Sequence, residues 1–511
     1  MKFKRIISIL AGTALAAALL TGCGTQSAST SSQTAAAGGA AGEKDQTDGT
    51  AVETVSVAMV TVSDISDMDE IVARCNDILA PKGIALELIP LEFADYVSTI
   101  NMTLSGGDNS IDLFNRVWCP GLTTLAAQGQ VLNISDLLDQ YGQGILELID
   151  PAVMQCTYVN DGYYGVPTYG TVGLGTEYLV RTDIAENLES FQSSVDGYDS
   201  LTPIFAEIKE KYPEYSIVPT GQDGRFTSMM DVDKLGNQEC LGVLMHYGEN
   251  LNVENYFESE DFYDFATLMH EWQEAGYFIS DPLNQADGAN AAIMNGVSAG
   301  SFHDGASAEM SAAAMSSTTN VALTGIQVTK ALASTATCTN SAWCVNAATS
   351  HPEAAVKMLN ELYTNEEVIK LLCNGLEGID YVVEDGVSVY PEGKDTTNVG
   401  WPAANGWFFP NATLSWPAAP NPADLYDQYA VANDNAINSQ ALGFVFDTSN
   451  VTDEITACTN VVAQYLPALM CGLVDVDSSI SDFNAALYAG GLQAIMDEEQ
   501  SQLDAWAAAR E

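Results

Sequence analysis

A chain of 511 residues with 17 basic against 68 acidic side chains carries a formal charge of −51, yet only 17% of it is charged and 47% is hydrophobic. That apolar content excludes an intrinsically disordered acidic chain and requires a large folded core. The scarcity of cations excludes binding to a run of nucleic-acid phosphates. One-signed charge keeps an exported protein soluble, and it is also open to a second reading, an acidic site for a cationic ligand.

The chain opens with Lys2, Lys4 and Arg5, then an apolar run from Ile6 to Leu20 that ends in Leu20-Thr21-Gly22-Cys23. A basic start, a short apolar stretch and small residues before a cut make a secretory signal, too short to span a membrane in the mature protein. The ending resembles the lipobox of bacterial lipoproteins. That resemblance implies a signal peptide over 1–22, cleavage before Cys23 and lipidation of Cys23. Loss of the three basic residues lowers the charge from −51 to −54. Residues 24–50 hold no large apolar side chain, so 23–50 reads as a lipidated cysteine and flexible tether with a reach of roughly 30 Å. No later stretch approaches roughly 18 uninterrupted apolar residues, which leaves acyl chains to hold the protein at the membrane.

Thr54 to Val60 is rich in β-formers, and Met68, Ile71, Val72, Cys75, Ile78 and Leu79 form a helical stripe behind Ser66 and Asp69, which fit an N-cap. Pro81-Lys82-Gly83 stops that helix, Ile84 to Leu91 returns as a strand, and Phe93, Val97, Ile100 and Leu104 mark the next helix. Ile111 to Phe114 is a short buried strand, with Asp112 open to a structural role at its start. This order predicts a mainly parallel α/β sheet with helices on both faces. Ligands of such sheets bind beyond the carboxyl ends of the strands, which singles out Ser63 and Asp64, and Asn115 to Trp118. Ser350, Pro352 and Glu353 predict a capped helix start, and Phe483 to Trp506 predicts two helices broken at Gly490-Gly491.

Chemistry-bearing motifs are scarce. There is no zinc-protease, serine-hydrolase or phosphate-loop signature, and the four histidines are scattered without ligand spacing. Asp231-x-Asp233-x-x-Gly236 lacks the ligands of a calcium loop and reads as a turn. No catalytic residue, metal or cofactor is expected. Beyond Cys23, nine cysteines cannot complete a disulfide framework in one chain. Cys75 and Cys373 read as small buried hydrophobes, while spacing leaves Cys338–Cys344 and Cys458–Cys471 open as pairs. Free thiols in an exported protein would fit a reducing or anaerobic setting. Trp401, Trp407 and Trp416 lie in a Pro-, Gly- and Asn-rich stretch. Rings with nearby polar groups suit sugars, whose C–H faces stack on them, although core filling is the alternative for each.

Several stretches resemble the extracellular solute-binding proteins of bacterial ABC importers, in the carbohydrate-binding group. They are Ser110 to Phe114 with Leu125-Ala126-Ala127-Gln128-Gly129, Asp161-Gly162-Tyr163-Tyr164-Gly165-Val166-Pro167, Arg181-Thr182-Asp183, and Ala348-Thr349-Ser350-His351-Pro352-Glu353. Gly375 to Tyr381 and Gln502 to Trp506 are similar to a subgroup with an added C-terminal region. The resemblance implies a periplasmic-binding-protein-like α/β fold with two lobes, a hinge and a central cleft. It implies lobe 1 from 51–168 plus about 325–375, and lobe 2 from 169–324 plus about 376–511, including the C-terminal region. It further implies a monomeric, non-enzymatic receptor at the outer face of the cell membrane that hands a small solute to ABC permease subunits. An oligosaccharide is the expected solute. The alternatives are a peptide, polyamine or other cationic solute and, further off, a glycan adhesin or glycan-active enzyme. By position, Asp64, Trp118, Tyr169, Trp343, Glu377 and Trp407 are the ligand-binding candidates, and Arg181 is the structural one.

Overall fold

The structure, a computed structural model, describes residues 52–510 apart from 62–64, 220–230, 237–238 and 286–287. Cys23, the tether, Ser63 and Asp64 therefore lie outside the described residues. Strand β1 (Glu53–Thr61), helix α1 (Met68–Leu79), β2 (Ile84–Glu92), α2 (Tyr96–Gly106) and β3 (Leu113–Asn115) follow the expected alternation. β1 pairs in parallel with β2 through all nine of its residues, from Glu53 opposite Ile84 to Thr61 opposite Glu92, and in parallel with β3 at Val57 and Leu113. Helix α1 buries Ile71, Cys75 and Leu79, one residue per turn on one face. Asp67 holds its N-cap position without a side-chain cap bond, so the expected serine cap is not the one used.

Asp112 locks the sheet. Its Oδ2 accepts from the backbone N and the Oγ of Ser56, both at 2.8 Å, and its Oδ1 accepts from the Thr349 hydroxyl. The side chain is 4% exposed, and hydrogen bonds to its charged oxygens offset the cost of that burial.

The chain leaves this sheet through β4 (Val166–Pro167) and builds a second one from β5 (Gly175–Arg181), β6 (Gly300–Gly305) and β7 (Leu323–Gln327), both neighbours antiparallel to the central β5. Helix α3 (Ala308–Thr319) joins β6 to β7. Tyr178, Phe205, Trp272 and Phe302 pack on one face of this sheet, with Phe205 centred 4.8 Å from both Tyr178 and Trp272. Leu179 and Leu323 face a smaller cluster on the other side. The chain returns through α4 (Thr335–Thr339) to β8 (Ala342–Val345), which pairs antiparallel with β3 and β4 and completes the first sheet in the order β2-β1-β3-β8-β4.

Helices α5 (Pro352–Thr364) and α6 (Glu366–Asn374) cover the first sheet. His351 takes the N-cap position of α5 without a cap bond, and Ser350 Oγ accepts from Asn109 Nδ2 instead. Trp401, Phe408 and Phe409, from the stretch expected with lobe 2, pack into the first core. Helices α7 (Thr452–Met470), α8 (Val476–Gly490) and α9 (Leu492–Ala508) pack on the second core through Val462, Phe483, Leu487, Ile495 and Leu503. Gly491, at φ 105°, turns α8 into α9. None of the nine described cysteines is bonded to another, and all are buried. Neither pair left open by spacing forms, and the Cys338 thiol sits beside that of Cys156.

Candidate functional site

The carboxyl end of β3 carries the clearest candidate. Asn115 is 1% exposed; its Oδ1 accepts from Val117 N at 2.9 Å and its Nδ2 donates to Ser341 Oγ at 2.8 Å. Tyr96 donates its hydroxyl to Asn115 O at 2.6 Å. This bracing fixes a turn in which Trp118 adopts φ 61°, a left-handed conformation that costs a non-glycine residue about 1 kcal/mol or more. Its ring is then 47% exposed rather than folded into the core.

A second tryptophan meets it from the turn at Ala403–Phe408. Trp407 is 49% exposed, its ring centred 5.8 Å from that of Trp118, and Phe93, 55% exposed, lies 4.8 Å on the other side. Beneath them Phe408 is buried, touching Trp407 at 5.5 Å, Tyr96 at 5.4 Å and Trp343 at 5.6 Å. The core supports the open rings from below.

Trp118 lines one cavity, walled by both cores, and Trp407 lines another, walled by the first core and the end of the second sheet. One, of about 650 Å³, is bounded by Arg116, Trp118 and Thr123 on the side of the first core and by Leu235, Glu239, Asn340 and Phe446 opposite. The other, of about 400 Å³, runs from Trp407 and Trp416 to His303, Asp304 and Ser311 at the end of β6 and the start of α3, with Tyr426 and Tyr429 along it. Behind this wall Glu177 is fully buried, its Oε2 lying 3.7 Å from His303 Nδ1. Among the described residues, Glu239 and Asp304 are the only carboxylates lining the two cavities, and Arg116 is the only Lys or Arg. Burial raises the Glu239 carboxyl above its usual range, with Lys234 opposing, and lowers the Arg116 guanidinium.

Of the candidates read from sequence, the structure brings Trp118 and Trp407 together. Tyr169 is 38% exposed, and its backbone N donates to Pro410 O at 2.8 Å, three residues beyond Trp407. Trp343 is completely enclosed and supports Phe408, presenting no surface to a solute in this conformation. Glu377 is exposed in the turn after α6 and lines neither cavity. Arg181 pairs with Asp183 through two contacts of 3.1 Å, a local structural role. Asp233 Oδ1 accepts from Leu235 N at 2.9 Å, the expected turn. Sequence reading missed Phe93, which packs against Trp118, and His303, Tyr426 and Tyr429, which share a cavity wall only after folding brings the histidine to the distant tyrosines.

A family described as "Bacterial extracellular solute-binding protein" matches residues 70–378, well over half the chain. The chain belongs to this family. Family resemblance continues beyond the matched span. A "Domain of unknown function (DUF3502)" matches residues 440–508, the segment of α7, α8 and α9. A carbohydrate ABC transporter substrate-binding protein of Streptococcus pneumoniae serotype 4 is 24% identical over 457 residues, covering 88% of this chain and 90% of that one. Among solved structures, the N-glycan transport solute binding protein NgtS of Streptococcus pneumoniae has a TM-score of 0.78 at 22% identity, covering 90% of this chain and 100% of that one. The same protein in complex with Man5GlcNAc has a TM-score of 0.70 at 22% identity, covering 90% of this chain and 99% of that one. An HMO-binding solute-binding protein of Bifidobacterium longum infantis has 0.57 at 15% identity, covering 89% and 99%. Family and neighbours place the fold among periplasmic-binding-protein-like α/β solute-binding proteins. No helix among the described residues is long and apolar enough to cross a membrane.

Proposed function

We propose that this solute-binding protein captures an oligosaccharide between its lobes and delivers it to the permease of an ABC importer, by binding and without turnover. The observation that carries the reading is the exposed Trp118–Trp407 pair, with Trp118 lining one cavity and Trp407 another. Stacking rings with hydroxyl, amide and carboxyl groups around them suit a chain of sugar units. The carbohydrate relative and the glycan complex of NgtS support it. The lining, with one carboxylate in each cavity despite 68 acidic residues in the chain, weighs against a cationic solute.

In this reading Trp118, Trp407 and Tyr169 meet the solute, and Trp343 acts by supporting Phe408. Asp64 and Glu377 stand by position alone, as residues past β1 and past α6. Lobe 1 is 51–168 with about 325–375, and lobe 2 is 169–324 with about 376–511 apart from the stretch around Trp401, Phe408 and Phe409, whose packing in the first core supports placing it with lobe 1. The signal peptide over 1–22 directs export and is cleaved, and the lipid on Cys23 with the tether then holds the protein, a monomer, on the outer face of the membrane. Calorimetry against neutral oligosaccharides, Man5GlcNAc included, tests the capture reading. Saturable one-to-one binding is expected, and silence across the panel would overturn it.

A further inference from the structure

We propose that Arg116 makes this cleft a receptor for a saccharide that carries a carboxylate. The inference rests on the oligosaccharide reading and narrows it.

Arg116 follows β3 directly. Its backbone N donates to Ala342 O at 2.8 Å and its carbonyl accepts from Cys119 N at 2.8 Å, which fixes the side chain at the wall of the larger cavity. Nη1 donates to Thr339 O, while among the described residues the buried Nε has no partner and Nη2 makes no hydrogen bond. No carboxylate forms an ion pair with the guanidinium among the described residues.

A guanidinium taken out of water without a counter-ion is costly, because its charge persists at any physiological pH. In a chain with 68 acidic residues, the lack of a paired carboxylate among the described residues reflects placement, not shortage. The nearby thiols do not supply it. Burial raises Cys119 to about 11 and Cys344 to about 12, so both are uncharged at neutral pH. Glu239 shares the cavity, but the charge that acts on its carboxyl is Lys234.

The unfilled edge of the guanidinium is Nε with Nη2. Two parallel N–H groups on one edge match the two oxygens of a carboxylate, and such a bond is roughly twice as strong as a neutral one. A sugar hydroxyl would satisfy a donor and leave the charge uncompensated, whereas a sialate or uronate would satisfy both. Trp118 stands two residues on, with an open ring for an adjoining sugar unit. The acidic surface opposes the approach of any anion, and salt screens that field beyond roughly 10 Å, so the preference must come from local contact.

Calorimetry on the mature protein with matched saccharides tests this: lactose against sialyllactose, and galactobiose against digalacturonate. At least one acidic member should bind about tenfold or more tightly than its neutral partner, and the arm that responds tells sialate from uronate. Arg116→Gln should bring that ratio to within about twofold of one. Arg116→Lys, which keeps the charge and loses the fork, should retain only part of it, and it carries the test if the Gln variant melts early. Acidic sugars that bind no tighter than neutral ones would overturn the inference and leave oligosaccharide capture standing. If saccharides of neither kind bind, the inference falls, and Man5GlcNAc decides whether oligosaccharide capture falls with it.

Discussion

At Trp118 the chain accepts a strained φ of 61° to keep a large ring in the open, where burying it would bring more stability. Removal of either ring should cost binding and not folding. Trp118→Ala and Trp407→Ala are each expected to weaken oligosaccharide affinity about tenfold or more, with the melting temperature nearly unchanged, by calorimetry and thermal shift. Asp380 makes a different residue-scale case. It is 1% exposed, Leu376 N donates to its Oδ2 at 2.8 Å, and burial together with the Asp67 carboxyl raises it to about 6. A carboxyl raised on folding favours the protonated native state. Its stabilising effect is complete below the unfolded value near 4 and is lost as pH rises toward about 6. Asp380→Asn, which mimics the protonated group, should therefore raise the melting temperature at pH 7 and leave it little changed at pH 4. An equal shift at both would refute the assignment.

The turn at Ala403–Phe408 shows how an element carries a site. Phe408 and Phe409 anchor it in the first core, and the anchoring leaves Trp407 facing outward. Phe408→Ala should cost about 3–5 kcal/mol of stability and also weaken ligand binding, whereas a purely structural anchor would leave the affinity of the folded fraction intact. In α9, Glu499 is fully buried beside Gly242, and neither carboxylate oxygen has a hydrogen-bond partner. Burial, with the charge of Asp233, raises its carboxyl well above the usual range. The sign is the same as for Asp380, so stability is lost with rising pH. Glu499→Gln should stabilise the protein at pH 8 more than at pH 5, read by thermal melts at both.

Over the whole molecule these buried carboxyls act with the net charge. At −51 the native state repels itself at neutral pH, and Asp231, Asp233, Asp380 and Glu499 all favour protonation on folding. The melting temperature should rise on acidification from pH 8 to about 5 and rise with added salt at pH 8. Indifference to both would show that neither effect matters. Two cores facing each other across a cavity also make closure the expected response to a solute that touches both walls. Small-angle scattering should record a smaller radius of gyration with bound oligosaccharide, and an unchanged radius would count against cleft closure.

The sequence alone determined the local elements of the first sheet, because parallel strands and amphipathic helices write their periodicity into adjacent residues. Met68 to Leu79 and Ile84 to Leu91 were legible for that reason, as was Trp118 from its place after a strand. It also set the charge of −51 that marks the molecule's surface and excludes nucleic acid. Tertiary structure decided which tryptophan is floor and which is platform. Trp343 and Trp407 carry the same side chain, and only the packing around Phe408 buries the first and leaves the second 49% exposed. It likewise decided that, among the described residues, one carboxylate lines each cavity and one guanidinium lines the larger. Composition counts charges, and only a folded chain places them.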